Sequence, residues 1–245
     1  MTSAPLRIAF TWIWTLSLMA SAAARAESVG LLTFIEVKVE TRGHAANVLR
    51  ERARALAEHT STPGRIILLQ EVSRPERFAL LALDQPAVPI GGAQEIDLLP
   101  RDLADELTAP PDRRPNREFE PDSGSTRTKI DTRAKIDTRA NIYVIAHLDL
   151  ALSSQTGANQ PGADRARVET ALHQLAATAR QSDGNLGFDI WQQTERPNHF
   201  NLISGWISES QLHAFEATRA AREFREIVGP LLGSPYDERL FRRVD

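Results

Sequence analysis

The sequence contains no cysteine, which excludes disulfides, a thiolate nucleophile and cysteine metal ligands together. Aromatic residues are scarce at 6%, with two tyrosines, and the formal charge is only -3. No basic patch interleaves the aromatics, so neither a nucleic-acid footprint nor a cationic membrane-binding face is indicated. The six histidines are dispersed, and there is no H-E-x-x-H, P-loop or G-x-S-x-G. No preformed zinc site, nucleotide cradle or serine elbow can therefore be read from the chain. What is present, 42% hydrophobic and 25% charged residues over 245 positions, is an ordinary globular composition with room for one large domain or two small ones.

The start of the chain differs from the rest. Arg7 precedes the apolar stretch "IAFTWIWTLSLMASAAA", and Ala24-Arg25-Ala26 fits a small-x-small cleavage site before Glu27. Residues 1–26 are expected to be an export signal, which makes the mature protein periplasmic or secreted and leaves no stable membrane span after cleavage. An uncleaved anchor is the alternative, but Thr and Ser dilute the stretch. No Arg pair precedes it and no Cys follows it, so neither a twin-arginine signal nor a lipid anchor is indicated. Loss of Arg7 and Arg25 takes the charge from -3 to -5.

The remainder is written twice. "FIEVKVE" (34–40) aligns with "YVIAHLD" (143–149), Gly64 with Gly184, "RPERF" at Arg74 with "RPNHF" at Arg196, and "LTAPPDRR" from Leu107 with "LGSPYDER" from Leu232. Landmarks kept in order identify a repeat. Each copy reads as strand, helix, strand, hairpin, strand, helix, tail. The helix of the second copy places Val168, Leu172, Leu175, Ala176 and Ala179 on one face. Its first strand alternates, with Ile142, Val144, Ala146 and Leu148 facing the helices and Tyr143, Ile145, His147 and Asp149 facing away. This gives an α+β fold of two tandem ferredoxin-like repeats, whose sheets pack against each other to cover their second faces. Residues 31–120 form a degenerate copy, 121–141 a solvated linker and 142–245 the better equipped copy. The linker holds the hexamer "KIDTRA" twice in succession, read as a local duplication without chemical meaning.

"GNLGFDIWQQTERPNHFNLISGW", followed by a helix and "REFREIVGPLLGSPYDERLFRRV", resembles the antibiotic biosynthesis monooxygenase family, including its quinol monooxygenase-like members. The likeness is good over 143–245 and weak over 34–120. It implies a dimeric α/β barrel, here an intrachain pseudo-dimer built from tandem copies, and leaves a further homodimer open. It also implies oxygenation of electron-rich aromatics with O2 as co-substrate and no metal, flavin or other cofactor. Many relatives carry a His nine residues after the hairpin Trp; counted from Trp206 that position is Phe215, and the nearest His is His213. Heme-degrading relatives carry a later His in that helix, and none follows His213 here.

Such a reaction requires a base to form a phenolate or enolate, a surface to orient it and exclusion of water. On the face away from the helices, His147 paired with Asp149 or Asp189 is the leading base and His199 the second. Tyr143 and Trp191 would stack on a ring, and Asn198 or Asn201 would hold an oxygen. Trp206, His213 and Phe215 complete the candidate substrate-binding set, although alternation places Trp206 in the helix-facing core with Phe200 and Leu202. Arg196 and Pro197 recur in the first copy and are read as turn residues. The function expected is an exported monooxygenase acting on a quinol or polycyclic phenol. A non-catalytic binding module or an assembly module of the same fold is the alternative.

Overall fold

The computed structural model describes residues 28–59, 66–86, 101–119, 136–151 and 161–245; the expected export signal, residues 1–26, and most of the expected linker lie outside them. The first copy contributes β1 (Ser28–Glu36), α1 (Arg42–His59), β2 (Ile66–Glu71), β3 (Arg77–Pro86) and β4 (Asp112–Glu118). The second contributes β5 (Ile142–Asp149), α2 (Pro161–Gln181), β6 (Asn185–Gln193), β7 (His199–Trp206), α3 (Glu209–Glu216), α4 (Arg219–Val228) and β8 (Asp237–Arg243).

The eight strands close into one barrel in the order β1-β3-β2-β8-β5-β7-β6-β4. Both tails are strands. β4 pairs with β1 of its own copy and β6 of the other, while β8 pairs with β5 and with β2. The two sheets expected to lie face to face are therefore joined edge to edge, and closure satisfies the edge hydrogen bonds that two open sheets would expose.

Period-two alternation then sorts the side chains. Ile142, Val144, Ala146 and Leu148 meet Val168, Leu172, Leu175 and Ala176 of α2 in an outer core that also takes Phe215, Phe224 and Trp206. A smaller outer core joins α1 through Ala45, Leu49 and Ala53 to Ile35, Leu68 and Phe78. The barrel interior is a third core, containing Leu32, Ile67, Leu81, Tyr143, Ile145, Trp191, Ile203 and Phe241. The last helix of the second copy is broken in two. Thr218 caps α4 by accepting from the Ala221 N–H, a polar cap inside an otherwise continuous apolar pattern.

Strand register corrects the repeat alignment. Glu36 lies opposite Arg77 and Asp149 opposite His199, and Phe34 opposite Asp112 and His147 opposite Asp237. Phe34 thus corresponds to His147 rather than to Tyr143, a slip of four residues. Because four is even, the faces assigned from alternation survive the slip. Lys38 and Glu40, expected on the first strand, fall beyond β1 at the 3-10 turn Val39–Thr41.

The repeated Arg-Pro turn has a common clamp. Gln70 donates to the Pro75 carbonyl at 2.7 Å and Gln192 donates to the Pro197 carbonyl, also at 2.7 Å. Each turn also closes by a backbone bond, from Arg77 N to Arg74 O and from His199 N to Arg196 O.

The end of the linker is not a solvated spacer. Ile136 and Ala140 are buried in the lumen core, and the Asp137 carbonyl accepts from the Tyr143 hydroxyl at 3.1 Å. Gly205 makes room for this plug, since a Cβ there would stand 2.9 Å from Ala140 Cβ.

Candidate functional site

The side chains predicted to face away from the helices do line the barrel interior, yet the interior at Tyr143 and Trp191 is packed rather than hollow. Tyr143 is 0% and Trp191 5% exposed. The Trp191 indole crosses to β1, where a Cβ on Gly30 would lie 2.6 Å from its Cη2. These two aromatics are core, and a substrate ring has no room between them. Asp189 is buried as well and accepts the Ile136 N–H at 3.4 Å at the linker plug, and among the described residues no hydrogen bond or ion pair joins it to a histidine.

One end of the barrel is polar. The Asp149 carboxylate lies 3.3 Å from His199 Nε2, His199 Nδ1 lies 3.3 Å from His147 Nε2, and His147 Nδ1 lies 3.2 Å from Asn201 Oδ1. Asn201 in turn donates to Asn116 Oδ1 at 2.7 Å. The expected pairing of His147 with Asp149 is thereby corrected: Asp149 pairs with His199, and His147 is the middle of the chain. Since Asn201 presents its oxygen, His147 Nδ1 must carry the hydrogen, and its Nε2 accepts from His199 Nδ1–H. His199 Nε2 can then donate to Asp149 only when His199 is doubly protonated. Burial, followed by the charge of Arg114, holds His147 below the usual histidine value. Burial also lowers His199, with Asp149 opposing that shift. The chain is a one-proton acceptor at the barrel mouth.

On the other side of the sheet lies a small cavity of about 30 Å³ between β5, β7 and the helices α2, α3 and α4. Its walls are Val144, Phe188, Leu202, Leu212, Phe215 and Phe224, and its rim carries Glu216, Arg225, Tyr236 and Glu238. Tyr236 donates to Glu238 Oε2 at 2.8 Å. Burial raises the Glu216 carboxyl above its usual range, and the like charge of Glu238 raises it further. Burial and Glu238 likewise push the Tyr236 hydroxyl upward.

The predicted residues therefore divide between two faces. Tyr143, His147, Asp149, Asp189, Trp191, His199 and Asn201 belong to the barrel interior or its mouth. Phe215 lines the helix-side cavity, and Trp206 is 0% exposed beside it, its ring 5.1 Å from that of Phe215. His213 is exposed on α3, and Asn198 stays in the hairpin turn, its carbonyl accepting from Leu150 N. Glu216, Tyr236 and Glu238 escaped sequence reasoning. The one available signal was Glu216 directly after Phe215, the position where relatives carry a histidine. Among the described residues no three His, Asp or Glu side chains are grouped as metal ligands. No helix among them is long and apolar enough to cross a membrane.

Residues 160–227 match the antibiotic biosynthesis monooxygenase family, a stretch that supplies α2, the β6–β7 hairpin, α3 and α4. No curated protein sequence matches the chain. Among solved structures, a candidate monooxygenase from Fusobacterium nucleatum superposes with a TM-score of 0.65 at 8% identity, covering 90% of this chain and 94% of that one. A candidate monooxygenase from Lactobacillus acidophilus NCFM gives 0.60 at 9% identity, covering 89% and 95%. An anthrone oxidase-like protein gives 0.59 at 12% identity, covering 90% and 93%. At these identities the likeness is one of fold, and it extends over both copies in a single chain.

Proposed function

We propose, starting from the antibiotic biosynthesis monooxygenase domain of the second copy, that the protein is an exported, cofactor-independent monooxygenase-like enzyme. In this reading it oxidises a quinol or polycyclic phenol with O2, and the two copies act as an intrachain pseudo-dimer. The observation that carries the proposal is the helix-side cavity. It is walled by apolar and aromatic side chains from the segment that matches the family, and its rim holds a carboxyl whose burial raises its proton affinity. Glu216 is the base in this reading, replacing His147, because the barrel interior is full and its mouth is polar. A carboxylate that has lost part of its hydration is matched to a phenolic proton better than one in water. The resulting phenolate donates an electron to O2, with Phe188, Phe215 and Phe224 excluding water from the ring. The substrate supplies all four electrons that reduce O2: one oxygen atom ends on the ring as a quinone carbonyl, and the other leaves as water with the two hydrogens that the ring gives up. The cavity of about 30 Å³ holds a water-sized guest, so a ring enters by displacing α3, whose buried attachments are Leu212 and Phe215.

Metal-free protein is incubated with a panel of quinols and polycyclic phenols with and without oxygen. Turnover that requires O2, falls about a hundredfold in Glu216→Gln and persists in His147→Ala supports the proposal. Equal activity of Glu216→Gln and wild type would remove the assigned base. A second reading, a carrier without catalysis, is favoured by Phe215 standing where relatives carry a histidine, and it predicts saturable binding of the same compounds with no product. Export is tested separately by the N-terminal residue of the mature protein, expected at Glu27.

A further inference from the structure

The repeat allows the hairpin ends of the two copies to be compared position by position at the barrel mouth. In the first copy every charge is held. Arg74 sits 3.3 Å from Glu36 and 3.2 Å from Glu76, and Arg77 sits 3.0 Å from Glu36 and 3.9 Å from Glu71. Phe34 packs against the lumen core beside them, with the guanidinium carbons of Arg114 and Arg239 4.9 and 5.2 Å from its ring centre.

In the second copy the same positions are Arg196, Asp149, Asn198, His199, Gln193 and His147. Two carboxylates have become amides, Glu76 to Asn198 and Glu71 to Gln193. The remaining one, Asp149, is engaged by His199. Arg196 keeps its place in the turn but has lost both of its partners. Among the described residues it has no ion pair or side-chain hydrogen bond. Where the first copy has Phe34, the smaller and polar His147 borders a cavity of about 140 Å³, lined also by Asp112, Arg113, Arg114, Gln193, Glu195 and Arg196. Asp112 pairs with Arg114 through one oxygen, at 2.9 and 2.6 Å, which holds the guanidinium in place.

We infer that this cavity binds a small oxyanion, a carboxylate or a phosphate, between Arg196 and Arg114, with the Gln193 amide as a neutral donor. An unpaired guanidinium beside a polar void is the arrangement that a forked acceptor completes. Relative to the sister site two carboxylates are lost and one is gained, Glu195 in place of Ser73, so Arg113, Arg114 and Arg196 outnumber Asp112 and Glu195 on the lining. The site stands whether or not the helix-side cavity is catalytic.

The test uses the mature full-length chain, titrated with inorganic phosphate and separately with malonate. Binding is followed by calorimetry and by the carbon-bound imidazole proton resonances of His147, which lines the cavity, and of its neighbour His199. Saturable one-site binding is expected. It should weaken about tenfold in Arg196→Gln, the loss of one charge-assisted contact. It should be lost in Gln193→Glu, which restores the charge of the first copy, and be unchanged in Arg74→Gln. Tighter binding of phosphate assigns a phosphoryl ligand, and tighter binding of malonate a carboxylate. Absence of saturable binding by either probe, or binding that both Arg196→Gln and Gln193→Glu leave intact, overturns the inference.

Discussion

Replacing Trp191 by Ala distinguishes a packed barrel from a hollow one. Trp191 is 5% exposed and packs among Leu32, Tyr143, Ile203 and Phe241, so its truncation should cost about 3–5 kcal/mol through lost burial and the cavity left behind. With a urea slope of about 2 kcal/mol per molar, the unfolding midpoint falls by roughly 2 M. The reciprocal change is Gly30→Ala. The added Cβ would stand 2.6 Å from the indole, an overpacking worth about 1–3 kcal/mol. In the double variant the methyl group meets the vacated space, so most of its cost should disappear, leaving a coupling above about 1 kcal/mol. Far-UV circular dichroism is the appropriate probe, since one variant removes a fluorophore. A cost for Trp191→Ala below about 1 kcal/mol, or a Gly30→Ala penalty that persists without the indole, would show that the interior is a chamber. The substrate site would then belong among Tyr143, Trp191 and His147 after all.

Other predictions concern charge and turns. Gln70→Ala should destabilise the protein by about 1 kcal/mol in urea unfolding through loss of the clamp on the Pro75 carbonyl, and Gln192→Ala by more, about 2–3 kcal/mol, because the buried Gln192 also accepts from Arg117 at 3.0 and 2.7 Å. His147 is held below its usual value in the fold, so the unfolded chain takes up its proton first. The stability this confers is complete above about pH 6.5 and is lost as the pH falls through that value toward the folded one. His147→Phe, the residue of the first copy, should therefore shallow the acid-side decline in unfolding midpoints between about pH 7 and 5; an unchanged slope would refute the assignment. Glu216 has the opposite sign, since its folded value is raised. Its favourable contribution is present below about pH 4.5 and is lost as the pH rises. Glu216→Gln should thus gain stability relative to wild type from acid toward neutral pH.

Much of this architecture could be read from the residues because alternation and helical spacing record burial directly. Val144, Ala146, Val168 and Leu172 mark opposite sides of one interface, and all four are buried in it. The sides of β5 were also correct, since period two survives an even error in repeat alignment. Occupancy of the interior was not legible. Whether Tyr143 and Trp191 border a void depends on how far side chains from β1, β2 and β8 reach across the lumen, and Gly30 reveals its part only when β1 and β6 are in place. The partner of His147 was equally hidden. Asn116, at the far end of the hydrogen-bonded chain, belongs to the other copy and reaches Asn201 only through the β4–β6 junction. Glu216 and Glu238 come from α3 and β8, whose contact depends on the break at Thr218 and on the tail being a strand.

The second occurrence of the duplicated hexamer "KIDTRA" has a structural use. It supplies Ile136 and Ala140 to the lumen core and the Asp137 carbonyl to Tyr143. Phe119 N bonds to Ile190 O and Asp137 N bonds to Leu186 O, so the described ends of the connection sit four residues apart along β6, about 13 Å at strand rise. Removing residues 129–134 shortens the segment between Phe119 and Ile136 from sixteen residues to ten, which still spans about 33 Å when extended. The remaining hexamer keeps its place beside Asn141. Deletion of one hexamer should therefore leave the urea midpoint unchanged, whereas Ile136→Ala, at a position 0% exposed, should cost about 2–4 kcal/mol. A deletion variant that is as destabilised as Ile136→Ala would mean that the first hexamer also contributes to closing the barrel, and that the duplication was retained for the fold.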